Sequence, residues 1–230
     1  ISAAVDDAFR RVGPETIAKF LFTSGSTGEP KAVINTQRML CANQAAVAQV
    51  WPFLEDRPPV LVEWLPWNHT FGGNHNFQMI LRNGGTLWID DGKPAPGLIE
   101  RSVANLRAVS PTIHFNVPRG YALLVDYLEN DKPLAERFFA ELDFVFYAGA
   151  ALPQSLWQRI EQAALAATGE KPLFLSAWGT TETAPGASHV HYRLDRAGNI
   201  GLPLPGCEIK LAPAEGRLEL RVRGPNITPG

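Results

Sequence analysis

Residues 142–179, LDFVFYAGAALPQSLWQRIEQAALAATGEKPLFLSAWG, hold a strand, a helix and a second strand in succession. The first nine form an apolar run that ends in small side chains, which predicts a buried strand. Pro153 suits the first turn of the helix that follows, and Gly169 suits its stop. PLFLSAWG then predicts the next strand. Strands alternating with helices imply an α/β layer with parallel strands.

The alternation extends outward. ISAAVDDAFRRVGPETIAKF predicts a helix and a loop ahead of a strand, and Ala18–Thr23 reads as a short buried strand entering a Gly/Ser loop. Apolar residues recur at Met39, Val47, Val50, Trp51 and Leu54, so Thr36–Leu54 reads as one helix. VLVEWLPW, from Val60, is strand-like and precedes a loop crowded with Asn, His and Gly. GGTLWID, from Gly84, is a short strand. Pro96 and Gly97 precede a helix with Ile99, Val103 and Leu106 on one face, ended by Ser110-Pro111. Pro118 opens another, with Tyr121, Leu124, Val125 and Leu128 inward. CEIKLAPAEGRLELRVRG, from Cys207, alternates around an Ala-Glu-Gly turn and predicts a β-hairpin. Residues 1–205 therefore read as an α/β core, and 206–230 as the start of a small β subdomain.

With 230 residues and 45% hydrophobic content the chain can bury a real core. Charged residues make up 19% and the net charge is −2, which gives no electrostatic footprint for nucleic acid. No apolar run approaches the roughly 18 residues of a membrane-spanning helix, and no secretory signal opens the chain. Cys41 and Cys207 lie far apart and read as reduced, buried thiols of a cytoplasmic protein. The two ends read as cuts inside a larger protein.

Phe20–Thr36, FLFTSGSTGEPKAVINT, runs from the strand through Ser, Thr and Gly to Lys31. It is not a Walker A loop, because Pro30 stands where that motif needs Gly before the Lys. Its ingredients still suit a polyanion. Gly25 and Gly28 let backbone N–H groups turn inward, Ser24, Ser26 and Thr27 add donors, and Lys31 adds charge. A strand before it and a helix within a few residues would put it where α/β folds bind ligands. Read from these residues alone, a solvent-exposed turn remains the alternative.

TSGSTGEPK, Thr23–Lys31, resembles the phosphate loop of the adenylate-forming enzymes, which include acyl- and aryl-CoA synthetases, luciferases and peptide-synthetase adenylation domains. SAWGTTET, Ser176–Thr183, is similar to the family's aromatic-Gly-x-Thr-Glu stretch. YAGAALP, Tyr147–Pro153, and NIGLPLPGCEIKL, Asn199–Leu211, resemble two further blocks, in the family's order. The resemblance spans nearly all of the chain from Ala18 and implies the large N-terminal domain of such an enzyme. It implies that Thr23, Ser24, Gly25, Ser26, Thr27, Gly28 and Lys31 hold the departing pyrophosphate of ATP. It further implies that Gly149, Ala150 and Ala151 run along the adenine, that Trp178 lies against it, and that Gly179 and Thr180 belong to the same nucleotide site. Thr181 would donate to the α-phosphate and Glu182 would hold Mg²⁺.

WLPWNHTFGGNHNF, Trp64–Phe77, interleaves aromatic residues with Asn and His. A zinc site at His69, His75, His189 or His191 lacks a Cys or carboxylate partner at ligand spacing. By resemblance His69 gates the acyl pocket, and this string with NGGTLWIDDGKP looks like feruloyl-CoA synthases and close aryl-CoA ligases. A flat phenylpropenoid acid suits aromatic walls with a few polar anchors, for which Asn74, His75, Ser176 and Ala177 are the candidates. The implied reaction adenylates the acid with Mg·ATP and passes the acyl group to CoA. The family's ribose-binding aspartate, hinge and catalytic-lysine domain do not follow Gly230, so the 230 residues alone are expected to turn over little. A non-catalytic binding module, an ATPase, or an adenylating enzyme with another acid or acceptor are the competing readings.

Overall fold

The computed structural model describes residues 2–24 and 28–229. In chain order the first half comprises α1 (Ala3–Arg10), β1 (Ile17–Ser24), β2 (Pro30–Thr36), α2 (Gln37–Val50), α3 (Phe53–Asp56) and β3 (Val60–Glu63). A π-helical turn (Phe71–Asn76) runs into α4 (Phe77–Asn83), then come β4 (Thr86–Ile89), α5 (Ile99–Ala108) and β5 (Ile113–Asn116). The second half comprises α6 (Pro118–Asn130), α7 (Lys132–Phe139), β6 (Phe144–Tyr147), α8 (Gln154–Thr168), β7 (Phe174–Gly179) and a 3₁₀ turn (Thr181–Thr183). Strands β8 (Gly186–His189), β9 (Leu202–Pro203), β10 (Glu208–Ala214) and β11 (Arg217–Arg223) complete it.

The central sheet has the order β5-β6-β7-β8-β9, with β5, β6 and β7 parallel and the last two strands antiparallel. Both faces of β6 are covered, and side chains alternate between them along the strand. Val145 and Tyr147 join the cluster built with α5, α6, α7 and α8. Phe144 and Phe146 join the opposite cluster with Val47, Trp51, Phe71 and Met79. Trp157 of α8 stacks on Phe174 of β7 at 4.0 Å between ring centres, which fixes that helix against the sheet. Gly169 stops α8 at φ 79°, a left-handed conformation open to glycine.

Strand β1 is not buried. Among the described residues it pairs only with β2, as an antiparallel hairpin with Thr23 opposite Lys31, and Phe20 and Phe22 are 52% and 70% exposed. The helix expected within a few residues of the Gly/Ser loop begins at Gln37, and the unassigned strand β2, Pro30–Thr36, turns back along β1 before it. The helix expected over Thr36–Leu54 breaks at Val50, where Pro52 supplies no N–H to continue the ladder.

Within the stretch after β3, Phe71–Asn76 is helical rather than a loop. A side chain on Gly72 would sit 2.6 Å from the Leu65 carbonyl oxygen, and one on Gly73 would sit 2.1 Å from that of Trp67. Glycine there lets the π-turn pack directly on the Leu65–Trp67 backbone, so it serves contact and not chain freedom. Strand β5 and helix α7, unassigned from the sequence, fill the space between α5 and β6. The β10–β11 hairpin turns at Ala-Glu-Gly as expected and forms its own two-stranded sheet. Cys41 is exposed on α2, against the expectation of burial, and Cys207 is half-buried; both are free thiols. No helix among the described residues is long and apolar enough to cross a membrane.

Candidate functional site

A cavity of about 640 Å³ opens at the carboxyl ends of β6 and β7. Ala148–Ala151 and Ala177–Gly179 form one side, and Gly198–Ile200 form another. Ser176 and Ser188 hold that second segment, the Ser176 hydroxyl donating to the Asn199 carbonyl and the Ser188 hydroxyl to that of Ile200 at 2.7 Å. The Asn199 side-chain oxygen accepts from the Gly201 N–H at 2.8 Å and so closes the turn. Ser176 lines the cavity as expected, but its proton is already committed to this loop.

The inner end is aromatic. Trp64, Phe71, Phe146, His75 and His189 line it, with His69 at the exposed mouth. The Trp64 indole N–H donates to Asn116 Oδ1 at 3.2 Å, an atom that also accepts from the Val117 N–H, so the end of β5 orients this wall. His75 stacks with Phe146 at 5.7 Å and lies 5.3 Å from His189 between ring centres. Burial pushes the His75 imidazole down to about 4 and that of His189 well below its ordinary value. Both rings are neutral at pH 7.

Behind His75 sits a buried acid. Asn76 Nδ2 donates to both Glu63 carboxyl oxygens, at 2.8 and 2.7 Å, and Asn76 Oδ1 lies 2.7 Å from His75 Nδ1. Burial raises the Glu63 carboxyl well above the carboxylate range, partly offset by the Asn76 hydrogen bond. Asn74, expected at the substrate wall, does not line the cavity. Its amide donates to Asn35 Oδ1 at 2.6 Å and to Thr70 Oγ1 at 3.0 Å, tying the π-turn to β2.

The 3₁₀ turn Thr181–Thr183 packs against β2, the strand that carries Lys31. Thr183 Oγ1 accepts from the Thr180 N–H at 2.8 Å and caps the turn. Two residues from beyond the β10–β11 hairpin close the arrangement. Asn226 Nδ2 donates to the Thr183 and Gly186 carbonyls at 2.7 and 2.9 Å. The Thr228 N–H donates to the Glu182 carbonyl at 2.9 Å, and its hydroxyl to that of Ile34 at 2.9 Å. Glu182 points an exposed carboxylate outward from the turn, a hard oxygen donor of the kind Mg²⁺ takes alongside phosphate oxygens, so the residue fits such an ion.

The cavity thus brings together Gly149, Ala150, Ala151, Ser176, Ala177, Trp178, Gly179, His69 and His75. Thr180, Thr181 and Glu182 follow directly on the Gly179 edge without lining it, and Thr23, Ser24, Gly28 and Lys31 stand at the hairpin tip. Gly25, Ser26 and Thr27, read as part of the phosphate loop, lie outside the described residues. Glu63, Asn76, Asn226 and Thr228 were not singled out from the sequence, and His189 was weighed there only as a zinc ligand. Glu63 lay in a strand-like run whose one acidic residue carried a signal, since a carboxylate in a buried strand demands a partner.

Residues 3–230 match the family of AMP-binding enzymes. The chain belongs to that family. This AMP-binding chain is 31% identical over 227 residues to a long-chain-fatty-acid–CoA ligase of Escherichia coli O157:H7, covering 94% of the chain and 38% of that protein. It is 30% identical over 244 residues to an anthranilate–CoA ligase of Pseudomonas aeruginosa, covering 97% and 41%. The structure of a malonyl-CoA ligase ternary product complex with methylmalonyl-CoA and AMP superposes with a TM-score of 0.76 at 30% identity, over 94% of this chain and 45% of that one. The chain therefore has the mixed α/β fold of the N-terminal domain of adenylate-forming enzymes and spans about two fifths of the curated relatives.

Proposed function

We propose that this chain forms the nucleotide- and acid-binding part of an acid–CoA ligase, and that its acid is ferulate or a related hydroxycinnamate. The observation that carries the reading is one continuous cavity, with small residues at Gly149–Ala151 and Trp178–Gly179 and aromatic residues at its inner end. The AMP bound in the similar ligase structure supports the nucleotide half of this reading.

In this reading the adenine lies between the Gly149–Ala151 turn and Trp178, where small residues admit a flat base. The acid's carboxylate attacks the α-phosphorus of ATP, the α–β phosphoanhydride bond breaks, and pyrophosphate leaves. Thr23, Ser24, the loop Gly25–Gly28 and Lys31 hold that leaving group, and Thr181 donates to the α-phosphate. Mg²⁺ held at Glu182 would supply charge neutralisation on the phosphate oxygens. The thiolate of CoA then attacks the acyl carbon and releases AMP. The protein's part is positioning and charge stabilisation.

The inner end favours an aryl acid over a dicarboxylic one. No lysine or arginine is among the described residues lining the cavity, and its inner histidines are neutral. A second carboxylate, as in malonate, would find no counter-charge there. Flat rings at Trp64, Phe71 and Phe146 suit a conjugated ring, with His69 at the mouth.

The test is pyrophosphate release by the whole protein with Mg·ATP, across hydroxycinnamic, benzoic, fatty and dicarboxylic acids, with and without CoA. Release led by ferulate or 4-hydroxycinnamate and completed by CoA thioester is expected. Release led by malonate or a fatty acid would keep the ligase and overturn the substrate. No acid-dependent release would overturn the activity.

A further inference from the structure

Trp64 stands just past the end of β3 and lines the cavity. Its indole N–H donates to Asn116 Oδ1 at 3.2 Å, and the Val117 N–H donates to the same oxygen at 2.9 Å. An indole N–H and a backbone N–H can only donate, so two obligatory donors decide which end of the Asn116 amide is the oxygen. Asn116 ends β5 and is 3% exposed, while Val117 leads into α6 and lines the cavity in its turn. One side-chain oxygen therefore ties the wall after β3 to the corner between β5 and α6.

Helix α6 makes room for this bond. Gly120 is its third residue, at a place where alanine would form helix better. A Cβ there would lie 1.9 Å from Asn116 Oδ1, 2.4 Å from its Cγ and 2.6 Å from its Nδ2. The three nearest obstacles all belong to one amide, so the helix gives up a side chain where that amide needs the space. Two features distant from each other in the sequence, the indole at 64 and the glycine at 120, thus converge on Asn116.

We infer that Asn116 is a positioning residue for the acid: it holds the Trp64 indole as a fixed wall of the cavity, and Gly120 leaves it the space to do so. The inference rests on the acid-binding reading above and deepens it. Asn116 does not itself line the cavity, so it acts through Trp64. Without the acceptor the indole N–H loses its partner, the ring is free to leave its place, and the acid meets a looser wall. A buried residue behind the pocket then sets affinity for the acid, while the phosphate chemistry at the other end of the site is left standing.

The experiment measures pyrophosphate release by the whole protein against the concentration of its best acid from the panel above. Asn116→Leu keeps the volume but no acceptor, and is expected to raise the KM for the acid about three- to tenfold with kcat within about twofold, the scale of one hydrogen bond. Gly120→Ala is expected to do the same, because the Asn116 amide is what its methyl group displaces. Asn116→Asp keeps an acceptor oxygen and should recover most of the affinity. Trp64→Phe removes the indole N–H and should itself raise the KM; in that background Asn116→Leu and Gly120→Ala should add nothing further. A role in folding alone would make the losses additive there and spread them over kcat and the KM for ATP, which would overturn the inference. An unchanged KM for the acid in Asn116→Leu, or in Gly120→Ala should the leucine variant fail to fold, overturns it too and leaves the adenylating reading intact. If no acid drives release from the unmodified protein, both fall.

Discussion

Asn226 stands 43 positions after Thr183, yet its side-chain amide donates to the Thr183 carbonyl at 2.7 Å. The same nitrogen reaches the Gly186 carbonyl at 2.9 Å, so one side chain fixes both ends of the 181–186 turn. Asn226 is 2% exposed, and its replacement leaves the Thr183 carbonyl without this donor, whereas the Gly186 carbonyl keeps the Asn43 amide at 2.9 Å. Asn226→Ala is expected to cost about 1–3 kcal/mol of stability and to weaken nucleotide binding. Denaturant unfolding and ATP titration of the same variant check the two effects separately.

Lys31 is exposed and sits across the hairpin from Thr23, free of any ion pair among the described residues. Lys31→Ala should therefore leave the melting temperature nearly unchanged. In the whole protein it should lower pyrophosphate release about 10²-fold or more, the scale of a lost charge-stabilising donor. Unchanged release would remove Lys31 from the reaction.

Gly179 closes β7 at the edge of the cavity, where an added Cβ would lie 1.8 Å from the Pro185 carbonyl oxygen. That obstacle is backbone and cannot rotate away. Gly179→Ala should destabilise the chain and abolish nucleotide binding, whereas Gly13→Ala, with open space around it, should do neither. Thermal melts with and without ATP compare the two.

Acid should unfold this chain earlier than its carboxylates alone would dictate. Burial lowers His75 to about 4, His114 to about 3 and His189 well below its ordinary value. Above the unfolded value near 6.5 both states are neutral at these rings and stability is whole. As pH falls below 6.5 the unfolded chain takes up protons that the folded chain refuses, down to the folded values. Each ring then removes about 1.4 kcal/mol per pH unit across that window. Glu63 has the opposite sign: its raised folded pKa favours the folded state at low pH and loses that contribution as pH rises through it. Three rings outweigh one carboxyl, so the melting temperature should fall from pH 7 to pH 5. His114→Gln should flatten that fall, as melts at half-unit pH steps would show.

The sequence displayed the parallel layer because β6, α8 and β7 are local units whose apolar runs, Pro153 and Gly169 all agree. It misplaced β1 because a hairpin strand and a buried strand can share the same alternation, and Phe20 and Phe22 turned out to face solvent. The glycines of Phe71–Asn76 suggested a loop, but close approach to Leu65 and Trp67 is a tertiary fact with no local signal. The small-residue turns at Gly149–Ala151 and Trp178–Gly179 were legible through their motifs. The Glu63–Asn76–His75 chain was not, since its first member lies 13 positions before its second and only folding brings them together.

Phe146 belongs to two structures at once. Its ring packs against Phe115, Trp51 and Phe71 in the sheet's core, and it also lines the cavity. A substitution that reshapes the pocket there also reshapes the core that folds the sheet. If the pocket binds an acid as proposed, its preference is freer to change at exposed rim residues such as Trp67 than at Phe146.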